Sequence, residues 1–319
     1  MVKVLLYRTM ENMGNDYYMY RGIESLGAEL QAVCVNRFRP SYLIGRKMPL
    51  GGYYNSYLLR KAGKDYVSRM GKFDLLLVMD YIDHPFDMSG LAEKTAYWAY
   101  DPMRSEERYR RLGDNFDNVF VTLQSWVPTM KRLFPSAKVE VCHNAAAEHM
   151  FFNGPEPKPV GERPIKIGFV GVLKEGRRAR WLKALKDAGL QVWTRDRTLT
   201  LAEYGRKLMD CSISINLSEF NELNVRPFES LAAGCILVND GNPDILALQK
   251  ESPNLFMRTF DYANEDPKDC IKVLRELLAE LESNPKELSR RAGISREEIR
   301  KNHLYSNRAA QIIRSAGVG

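Results

Sequence analysis

The residues best suited to chemistry lie between positions 216 and 240, where an apolar strand precedes a polar loop and a short helix. Pro227 stands in the first turn of that helix and Gly234 just past its end, the positions these residue types favour. Arg226, beside the helix start, is suited to bind an anion such as a diphosphate. A carboxylate would repel that anion, so Glu229 would instead accept hydrogen bonds from the two hydroxyls of a ribose. The alternative is that Glu229 only complements the helix dipole.

A second group of candidates follows predicted strands in the first half of the chain. Asp101 comes directly after one apolar strand, and three further residues follow the strand before it: Asp80, Asp83 and His84. A carboxylate or imidazole at a strand end can take a proton from a hydroxyl group. We predict that Asp101 first and His84 second act as the acid–base residues. The alternatives are that Asp101 caps a turn, that the other aspartates lie in a solvated loop, and that His84 is structural.

The positive charge of the chain is concentrated in residues 36–73. This segment holds nine basic residues and one acidic residue, a charge of +8, whereas the whole chain carries +7. Tyrosines are interleaved with the bases, a pattern that can pair with phosphates and stack on bases. The residues that we expect to contact a polyanionic partner are Arg37, Arg39, Arg46, Lys47, Tyr53, Tyr54, Arg60 and Lys61. An anionic membrane surface would suit the same charge, and a solvated helix and loop is the alternative.

The elements that must position these residues form two similar series. Short apolar runs such as residues 73–79 alternate with helical segments, which predicts a parallel sheet, and a second series begins with the strand at residues 165–170. Between them, residues 153–164 contain four prolines and two glycines, a composition typical of a linker. We therefore predict an α/β chain with two domains, residues 1–155 and residues 156–319.

Composition excludes several classes of protein. The 319 residues are 45% hydrophobic and 27% charged, which is ordinary for a globular protein. No apolar run is long enough to span a bilayer, so we expect no transmembrane segment. The five cysteines and four histidines show no metal-ligand spacing, and an odd cysteine count without a C-x-x-C pair fits a reducing, cytoplasmic location. We expect no built-in metal or cofactor.

Missing motifs narrow the chemistry further. The segment at residues 168–171 lacks the G-x-G-x-x-G spacing of a dinucleotide-binding turn. The chain has no phosphate-binding P-loop and no Asp-x-Asp motif that would bridge a diphosphate through a metal. Arginine side chains and a helix end would then neutralise a diphosphate instead.

One segment has a more specific resemblance. The pattern Asn224-x-Arg226-x-Phe228-Glu229-x-Leu231-Ala232-x-Gly234 resembles the donor-binding signature of GT-B glycosyltransferases, most closely the spore-maturation (CgeB-like) group. Three further segments resemble that family in order and spacing: residues 167–171 followed by Arg177 and Arg178, residues 142–151, and His303-x-Tyr305-x-x-Arg308. The resemblance extends from about residue 95 to the end of the chain.

The resemblance implies a GT-B architecture of two Rossmann-like domains whose parallel sheets face a central cleft. The nucleotide sugar would bind to the C-terminal domain and the acceptor mainly to the N-terminal one, with the terminal helices packing back toward the first domain. The implied donor-binding residues are Gly171, Arg177, Arg178, Asn221, Asn224, Arg226 and Glu229. Asn221 stands where many related retaining enzymes have a glutamate, and Glu222 lies beside it.

The function implied is a metal-independent transfer of a sugar from a nucleotide diphosphate sugar, with UDP as the preferred nucleotide, to an acceptor hydroxyl. Because the basic segment lies in the acceptor half, we expect a polyanionic acceptor and prefer a hydroxylated base in DNA. The alternatives are a cell-envelope glycolipid or polysaccharide, reached through peripheral contact with an anionic membrane, and a non-catalytic GT-B module that binds a polyanion.

Overall fold

The structure is a computed structural model that describes residues 1–8, 14–34, 69, 71–80, 90–104, 106–171, 176–195, 198–261 and 266–319. The chain divides into two units. The first contains Met1–His143 and Tyr305–Gly319, and the second contains Asn144–Leu304. The predicted division at residues 155 and 156 therefore differs from these units in residues 144–155 and in the last fifteen residues.

The first unit is built on a six-stranded parallel sheet in the order β2-β1-β3-β4-β5-β6. Its strands are β1 (Lys3–Arg8), β2 (Glu29–Cys34), β3 (Phe73–Met79), β4 (Ala92–Ala99), β5 (Asn118–Val121) and β6 (Lys138–Val141). Its helices include α1 (Gly14–Ser25), α2 (Glu106–Leu112) and α3 (Val127–Leu133). β3 is buried along almost its whole length, as expected for a central strand covered on both faces.

The second unit has a five-stranded parallel sheet in the order β11-β10-β9-β7-β8. Its strands are β7 (Ile165–Phe169), β8 (Val192–Thr194), β9 (Cys211–Asn216), β10 (Ile236–Asp240) and β11 (Met257–Phe260). Its helices include α4 (Glu148–Phe151), α5 (Arg177–Asp187), α6 (Leu201–Met209), α7 (Arg226–Ala232), α8 (Pro243–Glu251), α9 (Lys268–Ser283) and α10 (Pro285–Asn302). The predicted α/β class with two parallel sheets is confirmed.

Each sheet contains a point at which the strand order reverses. In the first sheet the chain passes from β1 to β2 on one side and then returns to β3 on the other side of β1. In the second sheet the same reversal separates β7 from β9. Ligands of open parallel sheets bind outside the carboxyl ends of the strands at such reversals. The residues that end β1, β3, β7 and β9 are therefore of most interest.

The last helix, α11 (Tyr305–Ser315), returns to the first unit and packs against α1. Gly22 permits this contact, because a Cβ atom there would lie only 2.6 Å from the carbonyl oxygen of Tyr305. Tyr305 Oη donates a hydrogen bond to Asn15 Oδ1 at 2.7 Å, and Arg308 Nε donates to the carbonyl of His143 at 2.9 Å. Tyr305 and Arg308, which the sequence pattern singles out, therefore hold α11 on the first unit.

The proline-rich segment at residues 153–164 is part of the second unit's packing. Val160 and Arg163 within it are buried, and Ser212 Oγ donates to the carbonyl of Val160 at 2.6 Å. The expectation of a linker is wrong here because prolines stiffen an extended segment without preventing it from packing.

Candidate active site

The short helix α7 carries the strongest candidates and is held at both ends. At its start, Asn224 Oδ1 accepts a hydrogen bond from the backbone N–H of Arg226 at 2.9 Å. At its end, Arg163 donates to the carbonyl of Ala233 at 3.1 Å, and Arg296 donates to the carbonyl before it. Guanidinium groups at a helix C-terminus bond its open carbonyls and complement its dipole. α7 is therefore a firm support for the side chains it presents.

Three side chains form the centre of the site: Tyr204 from α6, with Arg226 and Glu229 from α7. Tyr204 Oη donates to Glu229 Oε2 at 2.6 Å, and Arg226 Nη1 donates to the same oxygen at 2.9 Å. Arg226 also bonds Tyr204 Oη and lies 4.7 Å from the centre of its ring. Within the described residues, no hydrogen bond reaches Glu229 Oε1. One carboxylate oxygen is thus fixed by two donors, and the other remains available as an acceptor.

The electrostatics of this group favour one protonation state. Burial raises the pKa of the Tyr204 hydroxyl, and Glu229 adds to the rise, so the phenol stays a neutral donor. Burial disfavours the charged Arg226 guanidinium, but Tyr204 and Glu229 outweigh it and raise the pKa of Arg226. Arg226 still leaves 32% of its side chain exposed, whereas Glu229 leaves only 5%. The group is a buried carboxylate with a cation that solvent can reach.

Sequence reasoning missed Tyr204. The start of α6 has a readable signal, because Thr200 and Glu203 form a capping box. That signal places Tyr204 in the first turn of a helix. It does not show that the phenol meets Glu229, 25 residues further along the chain.

The loop between β9 and α7 is organised by Glu222. Its carboxylate accepts backbone hydrogen bonds from Phe220 at 2.5 Å and Glu219 at 3.3 Å. Burial raises the pKa of Glu222, and these bonds oppose the rise only in part. Glu222 therefore shapes the loop from inside it.

Asn221 lies at the exposed turn of the same loop. Its φ of 56° makes it the one non-glycine residue with positive φ in the part of the chain that the structure describes. Asparagine adopts this left-handed conformation more readily than most residues. The asparagine at this position therefore has a backbone role, whatever its side chain binds.

Of the residues predicted around the first turn after β7, Arg178 faces the candidate loop. Its Nε donates to the carbonyl of Leu217 at 2.8 Å, and its Nη1 lies 3.7 Å from Glu219 Oε2. Gly171 is buried, and a Cβ atom there would lie 2.3 Å from Cζ of Phe169. A residue larger than glycine would therefore displace the ring.

Among the described residues, Arg177, the other arginine predicted at this turn, contacts an aromatic ring and the surroundings of a buried carboxylate rather than the Tyr204 group. Its guanidinium lies 4.6 Å from the centre of the Trp181 ring, and its Nε and Nη1 atoms are buried. Burial raises the pKa of Asp240 at the end of β10, while hydrogen bonds from Ser218 and the charge of Arg177 oppose the rise. Asp240, which the sequence analysis did not select, accepts from Ser218 N at 2.8 Å. Arg177 thus balances a buried carboxylate of its own unit.

In the first unit, Asp80 is fully buried and saturated with donors. Its carboxylate accepts from Tyr97 Oη at 2.8 Å, Tyr109 Oη at 3.2 Å and the backbone N–H of Asp101 at 3.0 Å. Arg108 Nη1 lies 3.4 Å from the same group. The alternative of a solvated loop is therefore wrong for Asp80, which anchors the strand ends.

Asp101 follows Tyr100 and is only half-buried. Its backbone is fixed by Asp80, and a short 3₁₀ turn, Pro102–Arg104, begins immediately after it. Its carboxyl group stays the predicted acid–base residue. Asp83 and His84 lie outside the described residues.

The predicted acceptor-binding residues also lie outside the part of the chain that the structure describes. They are Arg37, Arg39, Arg46, Lys47, Tyr53, Tyr54, Arg60 and Lys61. Their role stays a prediction from the charge pattern.

Metal-binding clusters and membrane-spanning helices are both absent from the described residues. No cluster of three or more His, Cys, Asp or Glu side chains is arranged to hold a metal ion in the described ranges. None of the helices assigned there combines the length and apolar character needed to cross a bilayer.

Comparison with known proteins agrees with this geometry. Residues 166–314, which include α7 and the Tyr204 group, match the model of the glycosyl transferase-like family. No curated protein sequence matches the chain.

Solved structures resemble the whole chain at low sequence identity. Sucrose-phosphate synthase from Thermosynechococcus elongatus is 11% identical with a TM-score of 0.63, covering 99% of this chain and 98% of its own. HepE of Anabaena, solved with UDP and glucose, is 10% identical with a TM-score of 0.62, covering 99% and 100%. An α-glucosyltransferase solved with UDP and a 13-mer DNA containing an HMU base is 12% identical with a TM-score of 0.60, covering 99% of both chains.

These likenesses establish the fold, and the family match lies in the half of the chain that holds the candidate site. The narrower resemblance to the spore-maturation group stays a prediction. The chain therefore has the GT-B fold, and its residues 166–314 match the glycosyl transferase-like family.

Proposed function

We propose that the protein transfers a sugar from a nucleoside diphosphate sugar to an acceptor hydroxyl group. The observation that carries the proposal is the arrangement of Glu229, whose Oε2 is held by Tyr204 and Arg226 while Oε1 receives no hydrogen bond from the described residues. A fixed carboxylate with an available oxygen is suited to accept hydrogen bonds from ribose hydroxyls. UDP is the preferred nucleotide, since two of the similar structures were solved with it.

Charge on the departing diphosphate requires compensation. Arg226 keeps a third of its side chain exposed, and Arg178 from α5 keeps about a fifth. Guanidinium groups that are already oriented stabilise developing negative charge without reorganising during the reaction. We assign Arg226 as the main diphosphate contact and Arg178 as a secondary one.

The acceptor side needs a base. As the acceptor oxygen bonds to the sugar carbon, the bond from that carbon to the diphosphate oxygen breaks, and the acceptor hydroxyl proton must leave. Asp101 is the proposed base, because its backbone is fixed by the saturated Asp80 carboxylate while its side chain keeps solvent access.

The proposed acceptor is polyanionic. The charge of +8 in residues 36–73 supports this choice, and a hydroxylated base in DNA is the preferred example. The DNA found with one structurally similar glucosyltransferase supports the same preference at the level of fold. The buried free thiols Cys142, Cys211, Cys235 and Cys270 suit the cytoplasmic location that goes with this proposal.

Thermal unfolding with nucleoside diphosphates tests the donor assignment. A ligand at about 100 times its Kd stabilises a protein by about 2.7 kcal/mol. We expect UDP or another nucleoside diphosphate to raise the Tm of the wild type, and the rise to disappear in Glu229→Ala. The matched control is Glu287→Ala, which removes an exposed carboxylate that pairs with an arginine at the same i,i+3 spacing. No shift with any nucleoside diphosphate would contradict the proposal.

A further inference from the structure

The carboxyl edge of the first sheet contains an arginine that the proposed reaction leaves unexplained. Arg8 is the last residue of β1, and β1 and β3 are the two strands between which the strand order reverses. Tyr7 pairs with Val78, so Arg8 lies level with the end of β3, just before Asp80. This is the position at which open parallel sheets bind ligands.

The side chain of Arg8 is buried at this edge. Only 9% of the residue is exposed, and its Nε and Nη1 atoms are inaccessible to solvent. Among the described residues, neither a hydrogen bond nor an ion pair reaches its guanidinium group. Its guanidinium group lies 4.8 Å from the centre of the Tyr20 ring on α1. A buried charge without hydrogen bonds is unfavourable, and a bound anion would supply the missing partner.

The nearby buried carboxylates are already engaged. Asp80 accepts from two tyrosine hydroxyls and from the backbone of Asp101, and it pairs with Arg108. Asp16, in the first turn of α1, accepts from Tyr100 Oη at 3.0 Å. Both carboxylates therefore have other partners, and neither forms an ion pair with Arg8.

We propose that Arg8 binds a phosphate group carried by the acceptor substrate. The planar guanidinium offers several N–H donors in a fixed geometry, which matches the oxygens of a phosphate group. The proposal rests on the proposed function, because it places the anion on the acceptor side of a sugar transfer. The proposed contact is a single arginine at the end of β1, and it is a different feature from the dispersed charge of residues 36–73.

Thermal unfolding of the full chain tests the contact with inorganic phosphate as the probe. Wild type, Arg8→Met and Arg8→Lys are compared in sodium phosphate and in sodium chloride at equal ionic strength. We expect phosphate to raise the wild-type Tm by at least about 2 °C more than it raises that of Arg8→Met. Arg8→Lys should keep a smaller part of the shift, since it retains the charge but loses the planar fork. Non-specific stabilisation by phosphate cancels in the comparison.

The Tm in chloride gives an independent readout. Since methionine fills a similar volume without the unpaired charge, Arg8→Met should unfold at the same temperature as the wild type or at a higher one. If Arg8 instead stabilised the fold, Arg8→Met would unfold at a lower temperature than the wild type. Arg163→Met is the matched control, because Arg163 is also buried but bonds three carbonyl groups. The Tm of this variant should fall in both salts. A lower Tm for Arg8→Met in chloride, or equal phosphate shifts in wild type and Arg8→Met, would overturn the proposal.

Two further ligands test which class of acceptor carries the phosphate group. A hexose phosphate and a short DNA with a hydroxylated base are each titrated into wild type and Arg8→Met. Affinity that falls at least about tenfold in the variant supports the proposal and identifies the acceptor class, and an equal affinity of both proteins for both ligands overturns it. UDP binding by the wild type is measured separately. Failure of the donor assignment is therefore distinguishable from failure of the Arg8 contact.

Discussion

The carboxyl edges of the two sheets differ in how their buried charges are balanced. At the second sheet, the Glu229 carboxylate is paired with Arg226 and bonded by Tyr204, so the charges compensate each other before any ligand arrives. At the first sheet, Asp80 is saturated by its neighbours while Arg8 has no polar partner among the described residues. The Glu229 carboxylate is therefore held in place without a ligand, whereas a phosphate group would, under our proposal, supply the partner that Arg8 lacks.

If both proposals hold, the same sheet architecture prepares a ligand site in two ways. A paired carboxylate keeps its orientation at little cost and can offer one oxygen to a ligand. An unpaired buried cation destabilises a protein, so under our proposal the removal of Arg8 should be tolerated for folding but should weaken phosphate binding.

The largest effect is expected at the second edge. Glu229→Ala should weaken UDP binding by about 100- to 1000-fold, because it removes charge-assisted hydrogen bonds to the ribose and releases Arg226 and Tyr204 from their common acceptor. Isothermal titration calorimetry measures the change. A loss no larger than that of Glu287→Ala would show that Glu229 only supports the helix.

Comparing Arg163→Met with Arg8→Met tests whether a hydrogen-bonded buried arginine stabilises the fold more than an unpaired one. Arg163 donates to the carbonyl groups of Lys158, Cys211 and Ala233, which the variant would leave without partners. We expect the free energy of unfolding to fall by about 2–4 kcal/mol. Urea denaturation measures it beside Arg8→Met, for which we expect no loss. Equal losses in the two variants would remove the distinction between the edges.

Tyr204→Phe tests how far the orientation of the Glu229 carboxylate depends on the Tyr204 hydroxyl. The phenol hydroxyl is one of two groups that bond Glu229 Oε2, and Arg226 remains in the variant. UDP affinity should fall by about fivefold to tenfold, the effect of one hydrogen bond. An unchanged Kd would show that Arg226 alone orients the carboxylate.

The smallest effect concerns pH. Burial raises the pKa of Glu222 above its usual range. A carboxyl group whose pKa is higher in the folded state favours folding at low pH, and that contribution is lost as the pH rises through the raised value. The Tm of wild type should therefore fall relative to that of Glu222→Gln as the pH increases from about 4 to 7. Parallel Tm profiles of the two proteins would contradict this pKa shift.

Much of the fold could be predicted from the sequence, because strands and helix ends depend on short, local residue patterns. Apolar runs at residues 73–79 and 165–170 predict buried parallel strands, and they coincide closely with β3 and β7. Proline and glycine mark the two ends of α7 in the same way. The prediction of a linker at residues 153–164 was wrong. Prolines indicate local stiffness and carry no information about what Val160 and Arg163 pack against.

By itself, the sequence determined the α/β class, the pattern that contains Arg226 and Glu229, and the concentration of charge in residues 36–73. Only the tertiary structure decided that Tyr204 meets Glu229, that Asp80 is saturated and that Arg8 is buried without a polar partner in the described chain. The physical reason is that strand and helix patterns depend on near neighbours, whereas the pairing of a buried charge depends on strand order. Parallel strands bring together residues that are distant along the chain, and that order is set by packing of the whole sheet.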